Sequence, residues 1–107
     1  MTQLDISLHN EHHRLLLTVA GPINSYTFTD FQEKVYKAIA QSDTAVDMEH
    51  VTALSSAGIG VLMTAMEDAA TTGHGFAIVN PSEIARLAIE STGFADHFPI
   101  VKTLKQV

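Results

Sequence analysis

Three short apolar runs set the limits on what this chain can fold into: "RLLLTVAG" (14–21), "TAVDME" (44–49) and "GFAIVN" (75–80). Each is followed by a stretch of helical period, and an apolar run of this length fits a strand covered by helices. Alternation of the two kinds of element predicts an α/β domain whose later strands are parallel and joined by right-handed crossovers. Val46 and Met48 fall in one core strand, and Phe76, Ile78 and Val79 in another.

"QLDISLH" (3–9) precedes the first run and alternates, with Leu4, Ile6 and Leu8 on one side and Asp5, Ser7 and His9 on the other. It reads as a half-exposed strand, joined through polar "NEHH" to the next as a hairpin. "TFTDFQEKVYKAIAQ" (27–41) puts Phe28, Phe31, Val35, Ala38 and Ile39 on one helical face, and Thr27 and Asp30 fit an N-cap and its acidic partner. In "TALSSAGIGVLMTAMEDAATTG" (52–73), Ile59, Leu62, Met63, Met66, Ala69 and Ala70 recur at helical spacing, with Thr64, Glu67, Asp68 and Thr71 between them. In "NPSEIARLAIESTG" (80–93), Asn80 fits a cap, Pro81 the first helical position, Glu83 the capping box and Gly93 the stop. The tail "DHFPIVKTLKQV" (96–107) fits a last strand or a short helix. The order β-β-α-β-α-β-α plus tail predicts one small domain over residues 1–107. Its mixed sheet of four to five strands is packed by amphipathic helices and well covered on one face.

Hydrophobic residues make up 46% and charged residues 17%, which describes a globular chain. With no cysteine, neither a disulfide framework nor a thiolate metal site can form. Residues 1–10 lack a basic leader and an apolar run, and no apolar stretch reaches the roughly 18 residues of a membrane span. The expectation is a cytoplasmic protein. Six basic residues against twelve acidic ones give a net charge of −6, and Arg14, Lys34, Lys37, Arg86, Lys102 and Lys105 are too scattered to form a phosphate-binding face. Nucleic acid is therefore not an expected partner, whereas a basic protein would suit the acidic excess.

His9, His12 and His13 lie close in sequence, but no companion ligand cluster accompanies them, and solvated turn histidines account for them. Gly58-Ile59-Gly60 opens like a dinucleotide fingerprint, yet Met63 stands where the third glycine belongs. Ser55 and Ser56 with His50 as base would make a nucleophile, but the G-x-S-x-G elbow is absent and no residue can be assigned to orient the base. The chain is not expected to be an enzyme. What remains is the opening "LSSAGIG" (54–60): a helix start with two hydroxyls and two glycines, each glycine costing up to about 1 kcal/mol against alanine. Small residues there let another protein approach closely. A phosphate on such a serine is tolerated by the helix dipole, while a docked partner would have to desolvate about −1.5 to −2 of charge.

On "VTALSSAGIGVL" (51–62), "NPSEIARLAIESTGFADHFPI" (80–100) and the glycine of "VAGPINSYT" (19–27), the chain resembles the STAS domain family, named for sulphate transporters and anti-sigma factor antagonists. The family motif reads Asp-Ser-Ser/Thr-Gly-Leu-Gly-Val-Leu. Aligned on Gly58, Gly60, Val61 and Leu62, its phosphorylated serine falls on Ser56. The resemblance implies a mixed sheet packed by helices, with the phosphoserine at the start of the helix that begins near Ala57. It also implies an anti-anti-sigma factor: unphosphorylated, such a protein binds an anti-sigma factor that is also a serine kinase. Phosphorylation by that kinase ends the contact, and a PP2C-type phosphatase restores it. ATP and magnesium belong to the kinase, so no cofactor is implied for this chain. By the same likeness, Asn24, Ser25 and Tyr26 of the loop after the second strand lie beside Ser55, Ser56, Ala57, Gly58 and Gly60 and form the docking surface with them. Ser55 replaces the family's aspartate, Asn24 the acidic residue common in that loop and Ala57 the second hydroxyl, leaving Ser55 as a second available acceptor. The alternative is a structural STAS subunit docking on an ABC-type lipid transporter.

Overall fold

The computed structural model describes residues 4–11 and 13–102. The parts of the sequence reading that fall on Gln3, His12 and residues 103–107 lie outside them. Strands β1 (Asp5–Glu11) and β2 (Arg14–Ile23) form the expected antiparallel hairpin, with Glu11 opposite Arg14. Then follow α1 (Phe28–Gln41), β3 (Thr44–Leu54), α2 (Ser56–Thr72), β4 (Phe76–Val79) and α3 (Glu83–Glu90). The tail begins with a short 3-10 turn (Ala95–His97) and β5 (Ile100–Val101), so it contains both of the elements the sequence allowed.

The sheet is mixed and ordered β1-β2-β3-β4-β5, with every pair after the hairpin parallel. Each crossover from β2 onward steps one strand in the same direction, so right-handed connections bring the helices to one face. On that face Leu17, Val46 and Ile78 stand side by side in register. They pack with Phe31, Val35 and Ile39 of α1, Val61, Leu62 and Ala65 of α2, and Ala85 and Ile89 of α3 in one core. Val46 and Met48 are fully buried, Ile78 and Val79 are buried, and Phe76 is partly buried, as the apolar runs predict.

Three local expectations change. Thr27 precedes α1 with helical backbone angles, φ −109° and ψ −14°, and its side chain makes no cap bond. Its hydroxyl is engaged with the preceding loop, and Asp30 pairs with Lys34 at 3.0 Å. Strand β3 runs to Leu54, beyond "TAVDME", because Gly21, Pro22 and Ile23 continue the ladder opposite Val51, Ala53 and Leu54. Helix α2 consequently starts at Ser56, and its buried side centres on Gly58, Val61, Leu62, Ala65 and Ala69, leaving Ala70 exposed.

The third change is the cap of α3, which is Ser82 and not Asn80: the Ser82 hydroxyl accepts from the Ala85 amide at 3.1 Å. Asn80 is held in the sheet instead, its amide donating to the Val101 carbonyl at 2.7 Å with φ +45°. Pro81 lies before the cap, and Glu83 is the first helical residue. Gly93 follows the helix end in a turn at φ +78°.

Candidate functional site

The site is assembled where β2 and β3 end together. Gly21 adopts φ +107°, a region open to glycine, between the two register shifts of the β2–β3 ladder. That irregularity lets Pro22 and Ile23 run beside Ala53 and Leu54 to the edge of the sheet. Ser55 then donates its amide to the Ile23 carbonyl at 2.9 Å. Asn24 and Ser55 therefore leave the sheet as neighbours, and the loop before α1 comes to lie at the tip of α2.

The loop is held by its own side chains. Asn24 Oδ1 accepts from the amides of Tyr26 at 2.8 Å and Thr27 at 3.1 Å, an Asx-type turn. The Thr27 hydroxyl accepts from the Asn24 amide at 2.9 Å and donates to the Pro22 carbonyl at 2.8 Å. With its backbone so constrained, the loop presents Ser25 and Tyr26 outward, and Tyr26 is 93% exposed. The organising role of Asn24 and Thr27 was missed by the helix-cap reading, although the spacing Asn-x-x-Thr carries the signal for a side-chain-closed turn.

The two serines of the helix tip have different positions. Ser55 is the N-cap: its hydroxyl accepts from the Gly58 amide at 3.3 Å, and its carbonyl accepts from the Ile59 amide at 2.9 Å. Ser56 is the first helical residue, exposed, and its hydroxyl makes no hydrogen bond among the described residues. No acidic residue occupies the first turn, so the positive end of the helix dipole is not offset by a neighbouring carboxylate there. His50 is exposed, lies 3.8 Å from Glu49 and makes no hydrogen bond to either serine.

The glycines divide in the same way. Gly60 faces outward, and a Cβ added there would meet nothing within 4 Å. Gly58 is buried, and a Cβ there would stand 2.6 Å from Ile23 Cγ2 and 2.8 Å from Leu54 Cδ1. The surface assignment of Gly58 is thereby corrected. This glycine allows α2 to press against the strand ends, and the exposed tip consists of Ser56, part of Ala57 and Gly60 beside Ser25 and Tyr26. Among the described residues, no helix is long and apolar enough to cross a membrane, and no three histidine or acidic side chains gather as a metal site.

Solved structures share this architecture. An anti-sigma factor antagonist from Mycobacterium paratuberculosis superposes with a TM-score of 0.86 at 23% identity, covering 97% of this chain and 90% of that one. The anti-sigma factor antagonist SpoIIAA in its unphosphorylated form gives 0.74 at 16% identity, covering 99% and 90%. The Bacillus cell fate determinant SpoIIAA in its phosphorylated form gives 0.69 at 16%, covering 99% and 94%. At these identities the likeness establishes the shared fold. The STAS domain model matches residues 5–107, nearly the whole length, and on that match the chain belongs to the STAS domain family.

Proposed function

We propose that this protein is an anti-anti-sigma factor whose binding is switched by phosphorylation of Ser56. The reading rests on one observation above the others: an exposed, unbonded serine hydroxyl at the first position of α2, on a tip cleared of bulk by Gly60. In the unphosphorylated state the tip and the Asn24–Tyr26 loop dock onto an anti-sigma factor that is also a serine kinase, which releases its sigma factor. Tyr26 supplies an exposed aromatic anchor of the type enriched at interfaces. The kinase brings the ATP and magnesium, and a PP2C-type phosphatase resets the serine. Two structures named for anti-sigma factor antagonists, and that of SpoIIAA in its phosphorylated form, support this assignment by fold.

Ser56 is favoured over Ser55 as acceptor by position. The Ser55 hydroxyl already serves the Gly58 amide, whereas Ser56 is free at the surface. A phosphate on Ser56 sits at the first turn, where the helix dipole favours negative charge by about 0.3–1 kcal/mol. The fold should tolerate it. At an interface, burial of the unpaired phosphate costs several kcal/mol, and every 1.4 kcal/mol is tenfold in affinity. A loss of at least about a hundredfold is expected, with Ser56→Asp imitating part of it.

The experiment incubates the protein with its cognate kinase and ATP, maps the phosphate by mass spectrometry, and titrates partner binding with Ser56→Asp and Gly60→Arg. Phosphate on Ser56, weakened binding in both variants and no loss of thermal stability are expected. Phosphate on Ser55 alone would move the site by one residue. Absence of phosphorylation, with Ser56→Asp binding normally, would overturn the switch and put the structural subunit of a lipid transporter in its place.

A further inference from the structure

The helices cover β2 and β3 more completely than β1. Leu8 stands opposite Leu17 in the hairpin and so points to the same face of the sheet. Leu17 is 1% exposed and Leu8 59%. The inner side of β1 therefore projects past α1, and a groove of about 230 Å³ runs between the hairpin and that helix. Ile6, Leu8, Leu15 and Leu17 form its apolar floor, and Lys34 and Lys37 stand on its α1 side. Lys34 pairs with Asp30 at 3.0 Å, while Lys37 makes no ion pair among the described residues. In a chain with twelve acidic residues and six basic ones, two of the six meet at this groove.

We propose that the groove binds a single-chain anionic amphiphile, a medium-chain carboxylate of the fatty-acid type. Its alkyl chain lies along the Ile6–Leu17 floor, and its carboxylate sits at the Lys37 ammonium with Lys34 beside it. Lining and charge select this occupant. An apolar cavity of about 150 Å³ admits a benzene-sized molecule, so a groove of about 230 Å³ has room for an alkyl chain of medium length. Apolar walls with a few placed polar groups are the usual build of a small-molecule site, and the ammonium favours an anionic head over a neutral or cationic one.

The test titrates the isotope-labelled protein with butanoate, octanoate and octylammonium below their micelle-forming concentrations, and follows methyl resonances by NMR. Octanoate should shift Ile6, Leu8, Leu15 and Leu17. Each methylene added from butanoate should tighten binding roughly twofold to fourfold, as burial of about 0.8 kcal/mol or somewhat less per group implies. Lys37→Glu should weaken octanoate about fivefold or more and reverse the preference toward octylammonium. Leu8→Glu, at an exposed position, should weaken octanoate without lowering Tm. The proposal is overturned by equal affinity for octylammonium, by octanoate shifts outside the groove, by no octanoate binding at millimolar concentration, or by binding to anionic phospholipid vesicles alone.

Discussion

Gly58 and Gly60 are two residues apart on one helix, and their surroundings ask for opposite things. At Gly58 an added methyl would meet Ile23 and Leu54, and Ile23 is a fully buried β-branched side chain with little freedom to move aside. Overpacking of this kind costs about 1–3 kcal/mol, which outweighs the gain of up to about 1 kcal/mol in helix propensity. Gly58→Ala should therefore destabilise the protein by about 1–2 kcal/mol in urea denaturation. Gly60 has open space around its Cα, and Gly60→Ala should stabilise the protein by up to about 1 kcal/mol. Equal effects at the two sites would refute the division between a packing glycine and a surface glycine. The sequence displayed both glycines at the helix tip but not which one faced the strands. That difference comes from where β2 ends.

At the scale of elements, helix starts were the least legible feature. Ser82 does three things at once: its hydroxyl caps α3, donates to the Val51 carbonyl at 2.7 Å, and its amide donates to the Met48 carbonyl at 3.0 Å. It ties the helix to β3 beyond the point where β4 ends its pairing with that strand. Ser82→Ala loses the cap and leaves a carbonyl short of its donor, so a loss of about 1–3 kcal/mol is expected by chemical denaturation. Asn80→Gly should stay within about 0.5 kcal/mol, because its φ of +45° suits glycine and its side chain does not cap the helix. The opposite ranking would restore Asn80 as the cap. Both residues are good caps by type. The choice between them was made by the Asn80–Val101 bond of the β4–β5 pair, a contact between residues distant enough in sequence to leave no local signal.

The whole molecule depends on one core shared by three helices and one side of the sheet. Phe31 of α1 is fully buried in that core. Phe31→Ala should cost about 3–5 kcal/mol, transfer and cavity together. That is a large share of the roughly 5–15 kcal/mol available to a domain. Thermal unfolding should remain a single transition at a Tm lower by ten degrees or more, given about 4–8 °C per kcal/mol for a domain near this size. Two separate transitions would show that the hairpin and the helical layer unfold as independent units.

The alternation of apolar runs with helical periods determined the α/β class, because strand and helix periods differ and each must bury its apolar side. It likewise placed Phe31, Val35, Ala38 and Ile39 inward, and the motif around Gly58 and Gly60 marked the helix tip as the place where the chain departs from ordinary helix chemistry. Tertiary structure decided what depends on contacts between distant segments. The register of β2 against β3 brought Asn24 beside Ser55, made Ser55 the cap and left Ser56 outside, while the overhang of β1 past α1 opened the groove at Lys37. Local pattern records which side of an element is apolar. Where two elements end relative to each other is fixed only when they pack.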